Sequence, residues 1–278
     1  MRLVEEQVAL GPRVPGTAPH DMLADRLAEA IRAAGGEVHQ QEFRVPFRGK
    51  RLSCRNIVGV FRATRGTPSG RGRPLLIGSH YDTRVRADRD PDPARREEAI
   101  PGANDGGSGT AILLHMLPRL GAAGLDRDVA VAFFDAEDLG HIDGKEFALG
   151  SAYLAAHPVG GFEPGEAIVL DMVGGAGMVL DIDAHVLRHE PSMLLTGALF
   201  RAGTARGWQP FAADKPHRVK GIISDQAPFA ERGVATCLLI DIDYPEWHTH
   251  ADLPAAMAGG SLAIIEEALW LSLLPPGG

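Results

Sequence analysis

The chain has 278 residues, 45% of them hydrophobic and 23% charged, which is typical of a folded protein with a sizeable core. The formal net charge of −8 argues against a nucleic-acid partner, because binding to phosphates needs a basic surface. No stretch is apolar for long enough to span a membrane, which argues against a membrane protein.

The N-terminal part of the chain predicts one helix followed by two strands. Thr17–Ala34 carries apolar residues at helical spacing, and the two glycines that follow are typical of a helix end. Gln41–Phe47 and Leu52–Phe61 predict two strands joined by a basic turn at 48–51. Arg65–Arg73 is rich in Gly, Pro and Arg and predicts a loop.

The rest of the chain alternates apolar strands with helices. The predicted strands are Leu75–Gly78, Val129–Phe134, Ala167–Val173 and Val234–Ile240. The predicted helices are Thr110–Leu120, Phe147–Ala156, Ser192–Arg206 and Ala256–Leu274. Strands that are apolar throughout and alternate with helices indicate a largely parallel sheet covered on both faces. We therefore predict a single α/β domain over residues 1–278, with a central mixed, mostly parallel twisted sheet flanked by helices on both faces.

Two cysteines, Cys54 and Cys237, lie in or beside predicted strands. This placement favours two buried free thiols. A disulfide between them stays open, because sequence alone does not test its geometry. No cluster of cysteines has zinc-finger spacing.

The first ten residues contain Glu5 and Glu6 and lack the apolar segment of a signal peptide. As written, the sequence predicts a cytoplasmic protein, although a periplasmic or secreted parent with a trimmed signal would leave the same chain. We expect a monomer without nucleic-acid or membrane partners.

Acidic residues and histidines collect where the predicted strands end. The set consists of His80 and Asp82, Asp105 in a glycine-rich turn, Glu137 and Asp138, Asp171, and His248. The active site of such a sheet lies beyond the carboxyl ends of its strands, so we expect these side chains to meet at one edge. Histidine nitrogen and carboxylate oxygen are zinc ligands, and a cation removes the repulsion among clustered carboxylates.

Each of these residues also has an ordinary structural explanation. Asp105 could cap the following helix, and Glu137 and Asp138 could be solvated loop acids. Asp171 is harder to explain in this way, because an unpaired carboxylate in an apolar strand is costly. Structural roles do not explain why every cluster follows a strand. The sequence also has no nucleophile elbow, no P-loop and no GxGxxG turn after a strand.

The order of these motifs resembles the zinc aminopeptidase superfamily, which has a parallel-sheet α/β fold. The motifs are His80-Tyr81-Asp82, Asn104-Asp105-Gly106, Glu137-Asp138, Leu170-Asp171 and Trp247-His248-Thr249. From about Gly11 onward, the chain most resembles bacterial members of the animal-type glutaminyl cyclases. One spacing distinguishes the cyclases from the aminopeptidases. In this chain, Leu139 to Leu149 lie between the acidic pair Glu137-Asp138 and Gly150-Ser151, which resembles the cyclases. In the aminopeptidases, the Gly-Ser follows the acidic pair almost at once.

The resemblance implies a zinc site and a set of catalytic residues. The ligands of one zinc ion would be Asp105, Asp138 and His248. Glu137 would be the general acid/base, and Asp171 and Asp225 would form a hydrogen-bonded carboxylate network with it. His80 and Asp171 match the positions that hold a second metal in the aminopeptidases, whereas the cyclases keep these residues but use one metal.

The resemblance also implies a substrate pocket, with two departures from the cyclase pattern. Trp247 would line the pocket. The segment 139–149 lacks the tryptophan that cyclases usually place there, so Ile142 or Phe147 would replace it. Gln226 stands where cyclases commonly have histidine.

These observations predict an enzyme that converts the N-terminal glutamine of peptides or proteins to pyroglutamate and releases ammonia. Its cofactor would be one zinc ion per chain. One alternative is an aminopeptidase with two zinc ions, and another is a zinc-stabilised module that binds peptide N-termini without turnover.

Overall fold

A mixed sheet of six strands organises the protein, which a computed structural model describes over residues 1–65, 72–211 and 217–274. The strands are β1 (Glu37–Phe47), β2 (Lys50–Phe61), β3 (Leu75–His80), β4 (Val129–Phe134), β5 (Glu166–Asp171), β6 (Ile182–Asp183), β7 (Val219–Lys220) and β8 (Ala235–Ile240). The large sheet has the order β1-β2-β4-β3-β5-β8, while β6 and β7 form a separate pair. Strands β4, β3, β5 and β8 are parallel, and the hairpin β1–β2 extends them antiparallel.

Helices cover both faces of this sheet. They are α1 (Arg2–Val8), α2 (Ala18–Ala33), α3 (Gly107–Ala122), α4 (Leu149–Ala156), α5 (Glu190–Ala205), α6 (Ala227–Ala230) and α7 (Gly259–Leu273). Val129, Val131 and Phe133 of β4 pack with α2, α3, α5 and α7, whereas Ala130 and Phe134 pack with α4 and α6. Because alternate residues enter two cores, the central strands are apolar throughout. The predicted α/β fold class is confirmed.

Several predicted boundaries differ from the structure, for local reasons. Strand β5 ends at Asp171, because Met172 has a positive φ of 48° that turns the chain out of the sheet. The last helix does not begin at Ala256, since Pro254–Ala256 forms a separate 3₁₀ turn before the helix starts at Gly259.

The turn between β1 and β2 contains two residues rather than the predicted four. Arg48 and Gly49 both have positive φ, as in the hairpin turn that suits twisted strands. Part of the predicted loop Arg65–Arg73 lies outside the described residues. Cys54 and Cys237 are both free and buried, in agreement with the sequence interpretation. Within the described ranges, no helix combines the length and apolar character that crossing a bilayer requires.

A buried ion pair fixes helix α2 to the end of β4. His20 Nε2 lies 2.9 Å from Asp135 Oδ1, and the imidazole stacks on the Tyr81 ring at a centroid distance of 5.0 Å. The Asp135 carboxylate also accepts the backbone N–H groups of Arg55 and Ala136. Burial alone would lower the pKa of His20, but the hydrogen bond and the charge of Asp135 raise it.

We expect His20→Gln to destabilise the protein in a pH-dependent manner. The pKa of His20 is higher in the folded than in the unfolded chain, so its stabilisation is fully present below about pH 6.5 and is lost as pH rises through the folded pKa. Urea unfolding of both proteins should show a loss of about 2 kcal/mol at pH 6 that shrinks toward pH 9. His115→Gln, which removes an exposed pair with Glu266, is the control and should cost little. A loss for His20→Gln that does not change with pH would contradict this explanation.

Candidate metal and active site

The predicted polar residues meet at the carboxyl edge of the sheet. His80 is the last residue of β3, and Asp171 is the last residue of β5. Glu137 and Asp138 follow β4 after a short turn, and Asp105 lies just before α3. His248 comes from the loop after β8 and completes the group. The expectation that these strand ends converge is therefore met.

Asp105, Asp138 and His248 form a first group suited to a metal ion. Each side chain is buried, and their ligand atoms all lie within 4.8 Å of one another. His248 Nε2 is 3.3 Å from Asp138 Oδ1 and 3.7 Å from Asp105 Oδ2. Asp105 Oδ2 and Asp138 Oδ2 have no hydrogen-bond partner in the part of the chain that the structure describes. Buried carboxylate oxygens without partners are costly, and one nitrogen with two such oxygens fits a zinc ion.

A contact of the Nδ1 atom of His248 fixes the orientation of its imidazole ring. Nδ1 lies 3.2 Å from Asp88 Oδ1, so the carboxylate holds the proton on Nδ1 and leaves Nε2 directed at Asp138. The backbone of His248 is in the left-handed region, with φ of 58°. Burial opposes charging of the imidazole, but Asp138, Asp88 and Asp105 raise the pKa of His248 to about 9.

Two further buried carboxylates position the backbone of the acidic ligands. The Asp82 carboxylate accepts the N–H groups of Glu137 and Asp138, both at 3.1 Å. The Asp252 carboxylate accepts the N–H groups of Asn104 at 2.8 Å and Asp105 at 3.1 Å. The sequence placed Asp82 among the candidate residues without a specific role, and it did not single out Asp252. Their only signal was their position, one beside His80 and the other shortly after His248.

Gly106 explains why Asp105 can face the metal group. Its φ is 79°, and a Cβ at this position would lie 2.5 Å from the carbonyl oxygen of Asp82. Only glycine can make this turn. Gly106 is also the N-terminal cap residue of α3, and no side chain caps this helix. The explanation of Asp105 as a helix cap is therefore excluded.

A second group shares Asp105 with the first. His80 Nε2 lies 3.2 Å from Asp105 Oδ1 and 3.5 Å from Asp171 Oδ1. His80 Nδ1 faces the backbone oxygen of Asp82 at 3.2 Å. Asp171 Oδ2 accepts a hydrogen bond from the Ser224 hydroxyl at 2.9 Å, whereas its Oδ1 accepts no hydrogen bond from the described residues. The geometry thus offers two adjacent metal positions bridged by Asp105.

Glu137 lies beside both groups without belonging to either. It follows Ala136, which has a positive φ of 57° in the turn after β4. Burial raises the pKa of Glu137 well above its usual range; the His80 charge opposes this, and the charges of Asp225 and Asp171 add to it. A carboxyl group with a raised pKa can both take up and release a proton near neutral pH.

Asp225 lies behind this site and is completely buried. Burial raises its pKa to about 7, and nearby Asp171 adds to the shift. Neither of its oxygens has a hydrogen-bond partner in the described ranges. Asp225, Asp171 and Glu137 therefore influence one another through charge rather than through the predicted hydrogen bonds.

A cavity of about 310 Å³ opens onto these residues. The polar residues of its wall are Glu137, Asp171, His141, Lys220 and the three residues of the first metal group. Its apolar side includes Trp247, Phe147, Met172, Ile222 and Ile240. Trp247 and Phe147 therefore both line the cavity, and their contact with substrate stays a prediction.

The Trp247 indole is held firmly in the cavity wall. Its ring lies 4.3 Å from the His248 ring, and the Arg89 guanidinium lies over it, 3.9 Å from the ring centroid. Phe147 is similarly packed, edge-to-face against His141 at 5.1 Å. These aromatic side chains give the cavity a defined apolar wall beside the metal group.

Ile142, offered from the sequence as a substrate contact, does not line this cavity. Ile142 is 3% exposed and packs with Phe43, Val45 and Cys54 in a separate apolar cluster away from the cavity. Gln226 is also buried rather than in the cavity wall. Its amide donates to Asp183 Oδ2 at 3.0 Å and to the backbone oxygen of Ile222 at 2.9 Å, which holds Ile222 in the wall.

The chain matches one protein family and is similar to several solved structures. The model of peptidase family M28 matches residues 56–272. The glutaminyl cyclase of Tannerella forsythia superposes with a TM-score of 0.86 and 28% identity, covering 98% of this chain and 96% of that one. The glutaminyl cyclase of Porphyromonas gingivalis gives a TM-score of 0.86, 30% identity, and coverage of 98% and 95%. A leucine aminopeptidase precursor from Bacteroides thetaiotaomicron gives a TM-score of 0.86, 27% identity, and coverage of 98% and 94%. No curated protein gave a significant sequence match.

Proposed function

The chain belongs to peptidase family M28, and on this premise we propose that it is a zinc-dependent glutaminyl-peptide cyclotransferase. The substrate would be the N-terminal glutamine of a peptide or protein, and the products pyroglutamate and ammonia. The observation that carries the proposal is the composition of the cavity. Glu137 and the first metal group line one side of a small cavity, and an apolar wall that includes Met172, Ile222 and the Trp247 indole beside His248 lines another side.

Asp105, Asp138 and His248 would hold the zinc ion, since their unpartnered oxygens and the directed Nε2 supply a suitable donor set. Bound there, zinc would supply Lewis-acid polarisation of the γ-carboxamide oxygen of glutamine. All proton transfers would be carried out by side chains of the protein.

Glu137 would move the proton that the reaction requires. The α-amine nitrogen forms a bond to the side-chain amide carbon, and the bond from that carbon to the amide nitrogen breaks. Glu137 takes a proton from the attacking amine and gives it to the departing nitrogen, which leaves as ammonia. Asp171, which lies in the cavity wall, would accept a hydrogen bond from the amine and orient it.

Trp247 and Phe147 would keep the glutamine side chain curled back over its own amine. The attack is intramolecular, so holding this conformation provides much of the rate enhancement. The apolar wall also excludes water, which would otherwise compete with the amine as nucleophile.

Replacing Trp247 with alanine should raise KM for a glutamine-initiated peptide by about 10-fold, because an aromatic wall is worth about 1–2 kcal/mol. The zinc content should stay at the parent value, since the indole is not a ligand. Steady-state kinetics and metal analysis measure both quantities. Trp247→Phe keeps an apolar ring and is the matched control, with a smaller rise in KM. Parent-like KM in Trp247→Ala would show that the indole does not contact substrate.

A two-zinc aminopeptidase is the second candidate, favoured by the group His80, Asp105 and Asp171. In that enzyme, Glu137 would activate water rather than the substrate amine, and the first residue would be cleaved off. Metal analysis of the purified protein separates the candidates, since the cyclase should hold one zinc ion per chain and the aminopeptidase two.

Release of ammonia tests the proposal directly. A coupled assay would follow ammonia from a glutamine-initiated peptide incubated with the zinc-loaded protein. The same peptide acetylated at its N-terminus is the control, because a blocked amine cannot cyclise. Ammonia from the free peptide alone supports cyclisation, and no ammonia from either peptide excludes it.

A further inference from the structure

Arg84 is a buried cation that contacts one residue of the first metal group directly. Its side chain is 2% exposed. Nη1 donates to Asp138 Oδ1 at 3.0 Å, and also to the backbone oxygens of Asp138 and Gly140, both at 3.1 Å. The guanidinium thus fixes both the carboxylate of Asp138 and the backbone that carries it.

The same guanidinium reaches a second member of the group through Asp88. Nε and Nη2 of Arg84 donate to the two carboxylate oxygens of Asp88 at 2.9 and 2.8 Å, a planar two-point contact. Asp88 Oδ1 in turn lies 3.2 Å from His248 Nδ1. One rigid arginine therefore links Asp138, which follows β4, to His248, which follows β8.

The backbone of the same segment also contacts the loop of His248. The N–H of Arg89 donates to the backbone oxygen of His248 at 3.3 Å, and its guanidinium covers Trp247. The residues from Arg84 to Arg89 form a strap across two elements that are distant in sequence. None of the residues assigned a role in the proposed reaction lies within this strap.

We propose that Arg84 and Asp88 are positioning residues that set the affinity of the first group for zinc. The inference rests on the metal group of the proposed function and extends it. Arg84 holds Asp138 in place, and Asp88 holds His248 in the tautomer that presents Nε2. Replacing a residue that forms a hydrogen bond with a metal ligand typically weakens metal affinity by about 10- to 100-fold.

Zinc affinity of the full chain tests the proposal without any peptide. Competition against a fluorescent zinc chelator would give Kd for the parent and for Arg84→Lys and Asp88→Asn. Lysine keeps the charge but cannot contact Asp88 at two points and Asp138 at the same time. Asparagine keeps the shape of Asp88 but loses its charge. Both variants should bind zinc about 10- to 100-fold more weakly than the parent.

Arg127→Lys is the matched control for the loss of a buried arginine. Arg127 pairs with Glu166 at 2.5 Å and donates to the backbone oxygen of Leu273 at 2.8 Å, at the end of β5 opposite the site. It should leave zinc affinity unchanged. Equal weakening in Arg127→Lys, or affinities of Arg84→Lys and Asp88→Asn within about twofold of the parent, would overturn the proposal. If Arg84→Lys does not fold, Asp88→Asn alone decides.

Failure of this inference and failure of the proposed function have different readouts. A parent that binds zinc but forms no pyroglutamate would refute the cyclase and leave the zinc measurements valid. If the parent forms pyroglutamate but Arg84→Lys and Asp88→Asn bind zinc as tightly as the parent, only the proposed role of the strap is refuted.

Discussion

Glu137→Gln is expected to lower kcat by about 1,000-fold or more, because general acid–base catalysis contributes about 10²–10⁴ to rates. Glutamine has nearly the same shape as glutamate but can neither take up nor release a proton near neutral pH. Glu137 lies on the cavity wall and belongs to neither metal group, so zinc should remain bound. The ammonia assay gives kcat, and metal analysis gives the zinc content of the same preparation.

Glu146→Gln is the matched control for this variant. Glu146 is an exposed glutamate in the neighbouring loop, and its replacement removes the same charge without touching the cavity. Its kcat should equal that of the parent. Loss of zinc from Glu137→Gln would show that Glu137 is a ligand, and retained turnover would show that another group transfers the proton.

Asp105→Asn should weaken zinc binding by more than about 100-fold. A loss of about 100-fold is the most that is typical for residues that only support a ligand, and Asp105 would be a ligand itself. Asp105 belongs to both metal groups, so the expected loss holds whether the protein binds one ion or two. The amide is neutral and cannot offset the positive charge of the ion. Chelator competition measures the affinity, and turnover should fall with zinc occupancy.

Asp243→Asn removes the same charge near the cavity without removing a ligand. Asp243 is 51% exposed and pairs with Lys220, which lies in the cavity wall. Its zinc affinity should match that of the parent. Parent-like zinc content in Asp105→Asn would mean that the metal binds elsewhere or uses other residues.

The sequence was sufficient to predict the large sheet and the candidate polar residues that meet at its edge, and the reason is physical. Strands buried on both faces are apolar throughout, so polar residues stand out where each strand ends. His80, Asp171 and His248 were found in this way, and parallel strands bring such ends together. The second, short sheet β6–β7 and helices α1 and α6 lack a long periodic pattern and were not predicted.

The segment 139–148 shows where the sequence interpretation reached its limit. His141, Asp143 and Ala148 all have positive φ, a backbone path that no residue pattern predicts. This path places Phe147 in the cavity and Ile142 in a separate core. The sequence alone offered both residues as candidates and could not choose between them.

The supporting carboxylates could not be assigned from sequence either. Asp82 and Asp252 act by accepting backbone N–H groups, a role that requires no particular spacing along the chain. Arg84 and Asp88 were given no role from the sequence, because their link to His248 joins residues that are far apart along the chain. Such contacts become visible only in three dimensions.

Mass spectrometry of a mixture of two peptides tests the central claim most directly. One peptide begins with glutamine and the other with leucine, and both are incubated with zinc-loaded parent protein and, separately, with Glu137→Gln. We expect the parent to remove one ammonia from the glutamine peptide and to leave the leucine peptide intact, and we expect the variant to change neither peptide. Removal of the whole first residue from either peptide would contradict the cyclase and indicate an aminopeptidase. Unchanged peptides after incubation with the parent would contradict both enzymes.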